Sequence, residues 1–402
     1  MVDSSVPTGR DLSAVASTLV TAHTGARVTL YDAELVKDWE RNVVVRYQVD
    51  GAPGIDSVIV KSIESQAPLG FTDWASLEYL ASTPAAALVP RFYGGDVAAG
   101  VFVMQDLGGS RSVDDLLRVP NHAGVERALV ALAAQYGRLH AATLGDAAAY
   151  VRVRGRLAGA PGPERRAEAD RWLAATPAVH RWLAALGCAA PAGFDGALDR
   201  VAARYAAPGP FLAFTHGDPA PTNSHVAADA VHPAVHSDVH PAVRLLDFEY
   251  GGFRHAAYDI TAWFVLCPLP ERMVWQMAAE YRAELAVACP AATDDERWRD
   301  EWAAMCAYRA VALLSWLPLA ALESDRSWVE RWTVRQAALS TAARLRAASS
   351  GVEALAALAV AGARLEDALR ARWPELGDGE AVLPRWRAFE RESEEEVPGL
   401  SP

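Results

Sequence analysis

Apolar and polar positions recur along this chain in two regimes. Residues 11–22 put Leu12, Val15, Leu19 and Val20 on one side of a helical turn pattern, which predicts a short amphipathic helix. Three β-type runs follow, Arg27 to Tyr31, Val43 to Val49 and Ser57 to Ser62. The last two are joined by Asp50-Gly51-Ala52-Pro53-Gly54, which is strong turn chemistry. A helix is predicted over 72–81, beginning at Thr72. Phe92-Tyr93-Gly94-Gly95-Asp96 and Val101-Phe102-Val103-Met104 read as two more strands around a glycine turn. Beyond them the period changes. Helical patterns occupy 123–144, 164–185, 194–206, 256–266, 271–287, 294–316, 327–347 and 352–372. Two strand-like runs, around 211–215 and 243–248, interrupt them. Thr293-Asp294-Asp295-Glu296 reads as a capping box, and the acidic end, Arg391 to Pro402, is expected to fray. The pattern predicts an α+β protein: an antiparallel sheet with one main helix, then a larger, mostly helical part.

Composition narrows the class. The 402 residues suffice for two lobes, and 51% hydrophobic with 22% charged residues suits an ordinary soluble globular protein. The polar stretch Met1 to Arg10 lacks the apolar core of a signal peptide. Trp263 to Pro270 and Val311 to Ala321 are too short to span a membrane. Cys188, Cys267, Cys289 and Cys306 show no paired metal-ligand spacing, so reduced thiols and a cytoplasmic location are expected. A net charge of −12 excludes nucleic acid as a natural partner. It suits a cationic small molecule and, more simply, solubility. Lysine occurs only at Lys37 and Lys61, leaving 36 of the 38 basic residues as arginine. A lysine kept at Lys61, inside the run Val58-Ile59-Val60-Lys61-Ser62, points to a site that wants a compact ammonium rather than a planar fork.

The candidate chemistry lies in the two strand-like interruptions. His216-Gly217-Asp218-Pro219-Ala220-Pro221-Thr222-Asn223 is followed by Leu245-Leu246-Asp247-Phe248-Glu249. Two carboxylates and an amide in this order can take a proton from an attacking hydroxyl (Asp218) and hold magnesium against phosphates (Asn223, Asp247). Between the two motifs lies a duplication, Val231-His232-Pro233-Ala234-Val235, then Val239-His240-Pro241-Ala242-Val243. Its histidines recur every four residues, but the prolines forbid the helix that would align them on a metal, so a lengthened hairpin loop is the reading.

The His-x-Asp-(four residues)-Asn spacing and the Asp-Phe-Glu triplet resemble those of the protein-kinase-like fold. More specifically, they resemble the aminoglycoside phosphotransferase and choline kinase family of small-molecule kinases. The likeness covers roughly residues 35–265. It implies a two-lobed fold, with residues 1–106 as the nucleotide-binding lobe and 107–402 as a helical lobe carrying the catalytic loop and acceptor site. It implies ATP or GTP with Mg2+ as cofactors. Asp218 then corresponds to the catalytic base, and Asn223 and Asp247 to the metal ligands. His216 and Asp259 become structural supports of the loop. Lys61 matches the strand lysine that contacts the α- and β-phosphates, with Glu78 as its ion-pair partner and Glu64 as the less well placed choice. Asn42 matches an asparagine of the loop over the phosphates, and Met104, Gln105 and Leu107 fit the hinge that holds the adenine. The stretch Asp38-Trp39-Glu40-Arg41-Asn42 departs from the family in containing no glycine.

Three functions follow as expectations: a kinase acting on a hydroxyl of a small polar molecule (an aminoglycoside-like antibiotic, amino sugar or amino alcohol); a kinase acting on serine or threonine of a peptide; and, ranked last, a non-catalytic pseudokinase. Asp294, Asp295, Glu296, Asp300 and Glu301 beside several tryptophans could bind an ammonium group. A solvated helix face with core tryptophans accounts for the same letters and is preferred. The oligomeric state leaves no mark in the sequence.

Overall fold

Val43-Val44-Val45 is apolar at every position because both faces of its strand are covered. In the computed structural model, Val43, Val45, Val58 and Val60 pack with Leu12, Ala16 and Val20 of a helix on one side. Val44, Ile59, Phe102 and Met104 join Trp74 and Leu77 of a second helix on the other. Successive strand residues point to opposite faces, so a strand buried on both sides loses the usual apolar–polar alternation. The described residues are 12–39, 42–63, 68–120, 122–158, 164–227, 243–267, 269–328, 332–376 and 386–389. The Val-His-Pro-Ala-Val duplication up to Ala242, Glu64 and the acidic tail lie outside them.

The chain runs α1 (Leu12–Thr24), β1 (Thr29–Trp39), β2 (Asn42–Asp50), β3 (Ser57–Ile63), α2 (Pro68–Ala81), β4 (Phe92–Asp96) and β5 (Val101–Gln105). The five strands form one antiparallel sheet in the order β1-β2-β3-β5-β4. β6 (Arg111–Ser112), α3 (Val113–Leu117), α4 (His122–Ala142), α5 (Ala147–Ala158), α6 (Glu164–Ala185) and α7 (Phe194–Ala206) follow. Then come β7 (Leu212–Thr215), β8 (Ser224–Val226), β9 (Val243–Leu245) and β10 (Gly252–His255). β7 pairs with β10, and β8 lies between β6 and β9. The chain closes with α8 (Ala257–Val265), α9 (Glu271–Ala286), α10 (Asp295–Trp316), α11 (Val334–Ser349) and α12 (Ala356–Arg372). The architecture is the α+β arrangement the pattern predicts.

α10 is the axle of the helical part, touching α6, α7, α8 and α11. It is buried on most sides from Trp298 to Leu314, and even Glu301 and Arg309 are enclosed. Among the described residues no helix is long and apolar enough to cross a membrane.

Several boundaries differ from the sequence reading. α2 begins at Pro68, four residues before Thr72, because proline at a helix start forfeits no hydrogen bond. β1 continues to Trp39 through two irregularities that a strict two-residue period hides. α5 occupies a stretch between the 123–144 and 164–185 patterns to which the sequence pattern assigned no element. Asp294 caps α10, accepting from the Glu296 and Arg297 N–H groups at 3.0 Å each, while the Thr293 hydroxyl turns back to Pro290 O. Asp295 pairs with Arg282, and Glu301 with Arg204 and His255. The acidic run therefore serves the helix itself, as the preferred reading had it.

Gly137 sets how closely α4 and α9 approach. A Cβ there would lie 2.6 Å from Glu284 Cβ and 2.7 Å from Tyr281 O. Gly137→Val should destabilise the protein by about 2–3 kcal/mol through overpacking, read as a lower midpoint in urea unfolding.

Candidate active site

The loop that leaves β7 is held from behind by a carboxylate. Asp259, in the first turn of α8, accepts from the backbone N–H of His216 (Oδ2, 2.6 Å) and of Gly217 (Oδ1, 3.0 Å). His140 of α4 reaches the same Oδ2 through Nε2 at 3.2 Å, and Tyr281 of α9 lies 2.8 Å from His140 Nδ1. Tyr281 and Asp259 thus bracket the His140 ring, one at each nitrogen. Arg309 of α10 donates twice to Tyr258 O and stacks on the Tyr258 ring, which fixes the start of α8. Burial pushes the Asp259 carboxyl upward, but the His140 hydrogen bond and neighbouring positive charge outweigh it and hold the group at about 2.

His216 joins the two motifs. Its Nε2 donates to Leu246 O at 2.9 Å, and its Nδ1 accepts from the Asp218 N–H at 3.3 Å. Both ring nitrogens are therefore engaged with backbone, and the ring rests on Phe248. The ring thus ties the two motifs together through backbone on both sides. Gly217 between them has φ +86°, and a Cβ would come within 2.0 Å of Tyr250 O, so only glycine fits the turn.

The turn presents Asp218, which is half-buried. Asn223, buried, donates through Nδ2 to Asp218 O at 3.0 Å and more weakly to Asp218 Oδ2 at 3.3 Å. Asn223 Oδ1 accepts from the Thr222 hydroxyl at 3.4 Å. Leu246 N–H donates to Asn223 O at 3.0 Å, continuing the β8–β9 ladder and setting the second motif beside the first. Asp247 follows with φ +67°, in the left-handed region that aspartate tolerates better than most residues. The bonds at Leu246 on one side and Phe248 on the other pin it there.

Lys61 completes the cluster from the sheet. Its ammonium lies 2.6 Å from Asp73 Oδ2 and 3.0 Å from Asp247 Oδ1. Burial alone would lower its pKa, but the two carboxylates raise it above the ordinary lysine value. The Lys61 charge in turn holds Asp247 below the usual carboxylate range. Asp73 Oδ1 also accepts from the Phe248 N–H at 2.9 Å, so one carboxylate grips both the strand lysine and the second motif.

This corrects one expectation. Glu78 is not the partner of Lys61: it bonds Arg156 and the Trp74 indole on another side of α2. Asp73, rather than a residue in the second half of α2, faces β3. Five helical residues separate Asp73 from Glu78, a rotation of roughly 140°, so the two cannot serve the same strand. An aspartate inside the apolar stretch Phe71–Leu80 was the signal available in the sequence.

Of the remaining candidates, Asn42 and Met104 share the sheet face that carries Lys61, whereas Gln105, opposite Val58, lies on the other. Asn42 pairs with Ile63 two positions from the Val44–Lys61 pair, hence on the face that carries Lys61. Its Oδ1 is buried and has no partner in the described residues. Met104 lies in the α2-side core at the end of β5. Gln105 is taken up by Arg91, through both its backbone N–H and its side-chain oxygen. Leu107 O accepts from Ser110 N–H, and among the described residues nothing accepts from the Leu107 N–H. Asp106 binds Arg46, Ser57 and the Gly108 N–H, fixing this link between sheet and helices. Its part went unseen in the sequence.

Among the described residues no three His, Cys, Asp or Glu side chains form a ready metal cage. The oxygens of Asn223 and Asp247 nevertheless suit magnesium, which takes one or two protein ligands and completes its shell with phosphate and water.

No protein-family model matches the chain, and no curated protein matches it. Similar solved structures include a choline/ethanolamine kinase family protein from Mesorhizobium loti, 17% identical, with 82% of this chain and 93% of that chain covered and a TM-score of 0.43. An ethanolamine kinase from Plasmodium vivax is 12% identical, with 79% and 82% covered and a TM-score of 0.43. A macrolide 2'-phosphotransferase type I is 15% identical, with 77% and 91% covered and a TM-score of 0.41. These are proteins of the kind the motifs resemble. At such identities and scores the role of each residue rests on this chain's own geometry.

Asp259 carries a pH signature. Its folded value, about 2, lies below the ordinary 3.8, so its contribution is present above about pH 4 and is lost as pH falls toward 2. That contribution is about 2 kcal/mol. Asp259→Asn should lower stability at pH 7 and flatten the acid limb of the stability curve, measured by urea unfolding at stepped pH.

Proposed function

We propose that this chain transfers the γ-phosphate of ATP or GTP, with Mg2+, to a hydroxyl of a small polar molecule such as an amino alcohol, an amino sugar or an aminoglycoside-like antibiotic. The observation that carries this reading is the single network in which Lys61, Asp73, Asp247, Asn223 and Asp218 are wired together by hydrogen bonds. A structural salt bridge has no need of an adjoining half-buried aspartate oriented by an amide. A phosphoryl-transfer site needs all five.

The residues divide the work. Lys61 has two of its three N–H donors on carboxylates and offers the third to an α- or β-phosphate oxygen. The Leu107 N–H meets the adenine edge, with Met104 flanking the ring, and Asn42 turns its amide to the phosphates. Residues up to Asp106 serve as the nucleotide-binding lobe. Asn223 Oδ1 and Asp247 would hold magnesium, which would supply positive charge against the phosphates. Asp218 orients the acceptor hydroxyl and takes its proton as the oxygen attacks phosphorus and the nucleoside diphosphate departs. The net charge of −12 favours acceptors bearing ammonium over anionic ones.

Purified protein with Mg–ATP should phosphorylate a member of a panel of hydroxylated amines. Asp218→Ala should lower turnover about 10²–10⁴-fold with nucleotide binding retained, and full activity in that variant would remove Asp218 from its role. Asp247→Ala should abolish magnesium-dependent nucleotide binding. Asp73→Asn should weaken nucleotide binding by about tenfold, whereas Glu78→Gln should change it less than about twofold. The reverse order would restore Glu78 as the lysine's partner.

A further inference from the structure

The chain contains two lysines, and the fold brings both to one row of the sheet. Lys37 of β1 lies opposite Val44 of β2, and Val44 lies opposite Lys61 of β3. Directly opposed residues on antiparallel strands project to the same side. Val44 belongs to the core on the α2 side, the side on which Asp73 and Asp247 meet Lys61. Two strand spacings, about 10 Å, separate the two lysine backbones, a gap within reach of two lysine side chains with one anion between them.

This placement depends on an irregularity. Leu35 pairs with Val45, and the next pair is Lys37 with Val44, so Val36 is an extra residue. In a regular ladder Val36 would oppose Val44 and Lys37 would oppose Val43, whose side chain faces α1. The bulge leaves Val36 48% exposed and hands the inward position to Lys37.

The site has use for a second cation. Asp73 and Asp247 both engage the Lys61 ammonium, Asp218 adds a third carboxylate beside Asn223, and a nucleoside triphosphate adds further negative charge. In sequence only Glu40 and Arg41 separate the paired residues Trp39 and Asn42, so this link contains no glycine of the kind that lets backbone N–H groups cradle phosphate. Asp247 already registers both lysines: Lys61 chiefly, and Lys37 more weakly, hold its carboxyl down.

We propose that Lys37, aimed by the Val36 bulge, is a second phosphate-contacting residue that grips the outer phosphates of the bound nucleotide and takes the place of a glycine-rich loop. The inference rests on the nucleotide-dependent reading above and adds to it a specificity for triphosphate over monophosphate. Lys37 is half-buried on a strand near the hairpin tip, so Lys37→Met keeps the aliphatic stem and the fold.

Calorimetric titration of wild type, Lys37→Met and Lys37→Arg with Mg–ATP and with AMP tests it. Lys37→Met should bind Mg–ATP about tenfold more weakly and AMP within about twofold of wild type. Lys37→Arg, which keeps the charge, should recover most of the loss. Wild-type affinity for Mg–ATP in Lys37→Met would overturn the proposal. So would an equal loss for ATP and AMP, which marks a distorted sheet, or an arginine variant no better than methionine. A wild-type protein that binds no nucleotide would remove the underlying reading itself and Lys37's role with it.

Discussion

A buried ammonium between two carboxylates is the contact on which the rest of the site depends. Lys61 comes from the sheet, Asp73 from the helix beside it, and Asp247 from beyond β9 in the helical part. Burying such a group is expensive, and apolar side chains of the same volume would usually stabilise a core at least as well. The trio also carries a net negative charge, so it is poorly balanced as a stabilising device. Its value lies in register. It ties together two segments 186 residues apart in sequence and sets one carboxylate where Phe248 N–H must come.

Behind that contact the support is arranged in layers. Asp259 holds the His216–Gly217 backbone, His140 and Tyr281 hold Asp259, and Arg309 holds the helix that carries it. Each layer belongs to a different helix. The local cost of a left-handed Asp247, of order 1–3 kcal/mol, is thus offset by bonds that originate far from it. Strain is tolerated at the one residue whose oxygen must be turned outward.

Much of this was legible in the chain. Alternation and turns located the five-stranded sheet, and the 164–185 and 194–206 patterns coincide with α6 and α7. Hydrogen bonds connect His216, Asp218, Asn223, Asp247, Lys61 and Asp259, the residues that the motifs and the resemblance singled out. What was not legible has a common cause. A helix start set by a proline, a bulge that shifts a strand by one residue and a cap displaced from Thr293 to Asp294 are one-residue events. Periodicity averages over such events. Asp73 was missed because tertiary packing, not helical period, decides which side of α2 faces β3. Arg309 and Asp106 act through tertiary contacts that leave no local pattern.

The scarcity of lysine has a practical consequence. Amine-directed reagents on ordinary proteins modify many surface lysines and report an average. Here Lys61 is enclosed between carboxylates and kept protonated, so it is a poor nucleophile, and Lys37 is the other lysine, half-exposed at the rim of the same site. Apart from a terminal amine, a fluorophore or cross-linker carrying an activated ester is therefore directed to one residue. The chain carries a built-in attachment point for a reporter of what enters the cleft.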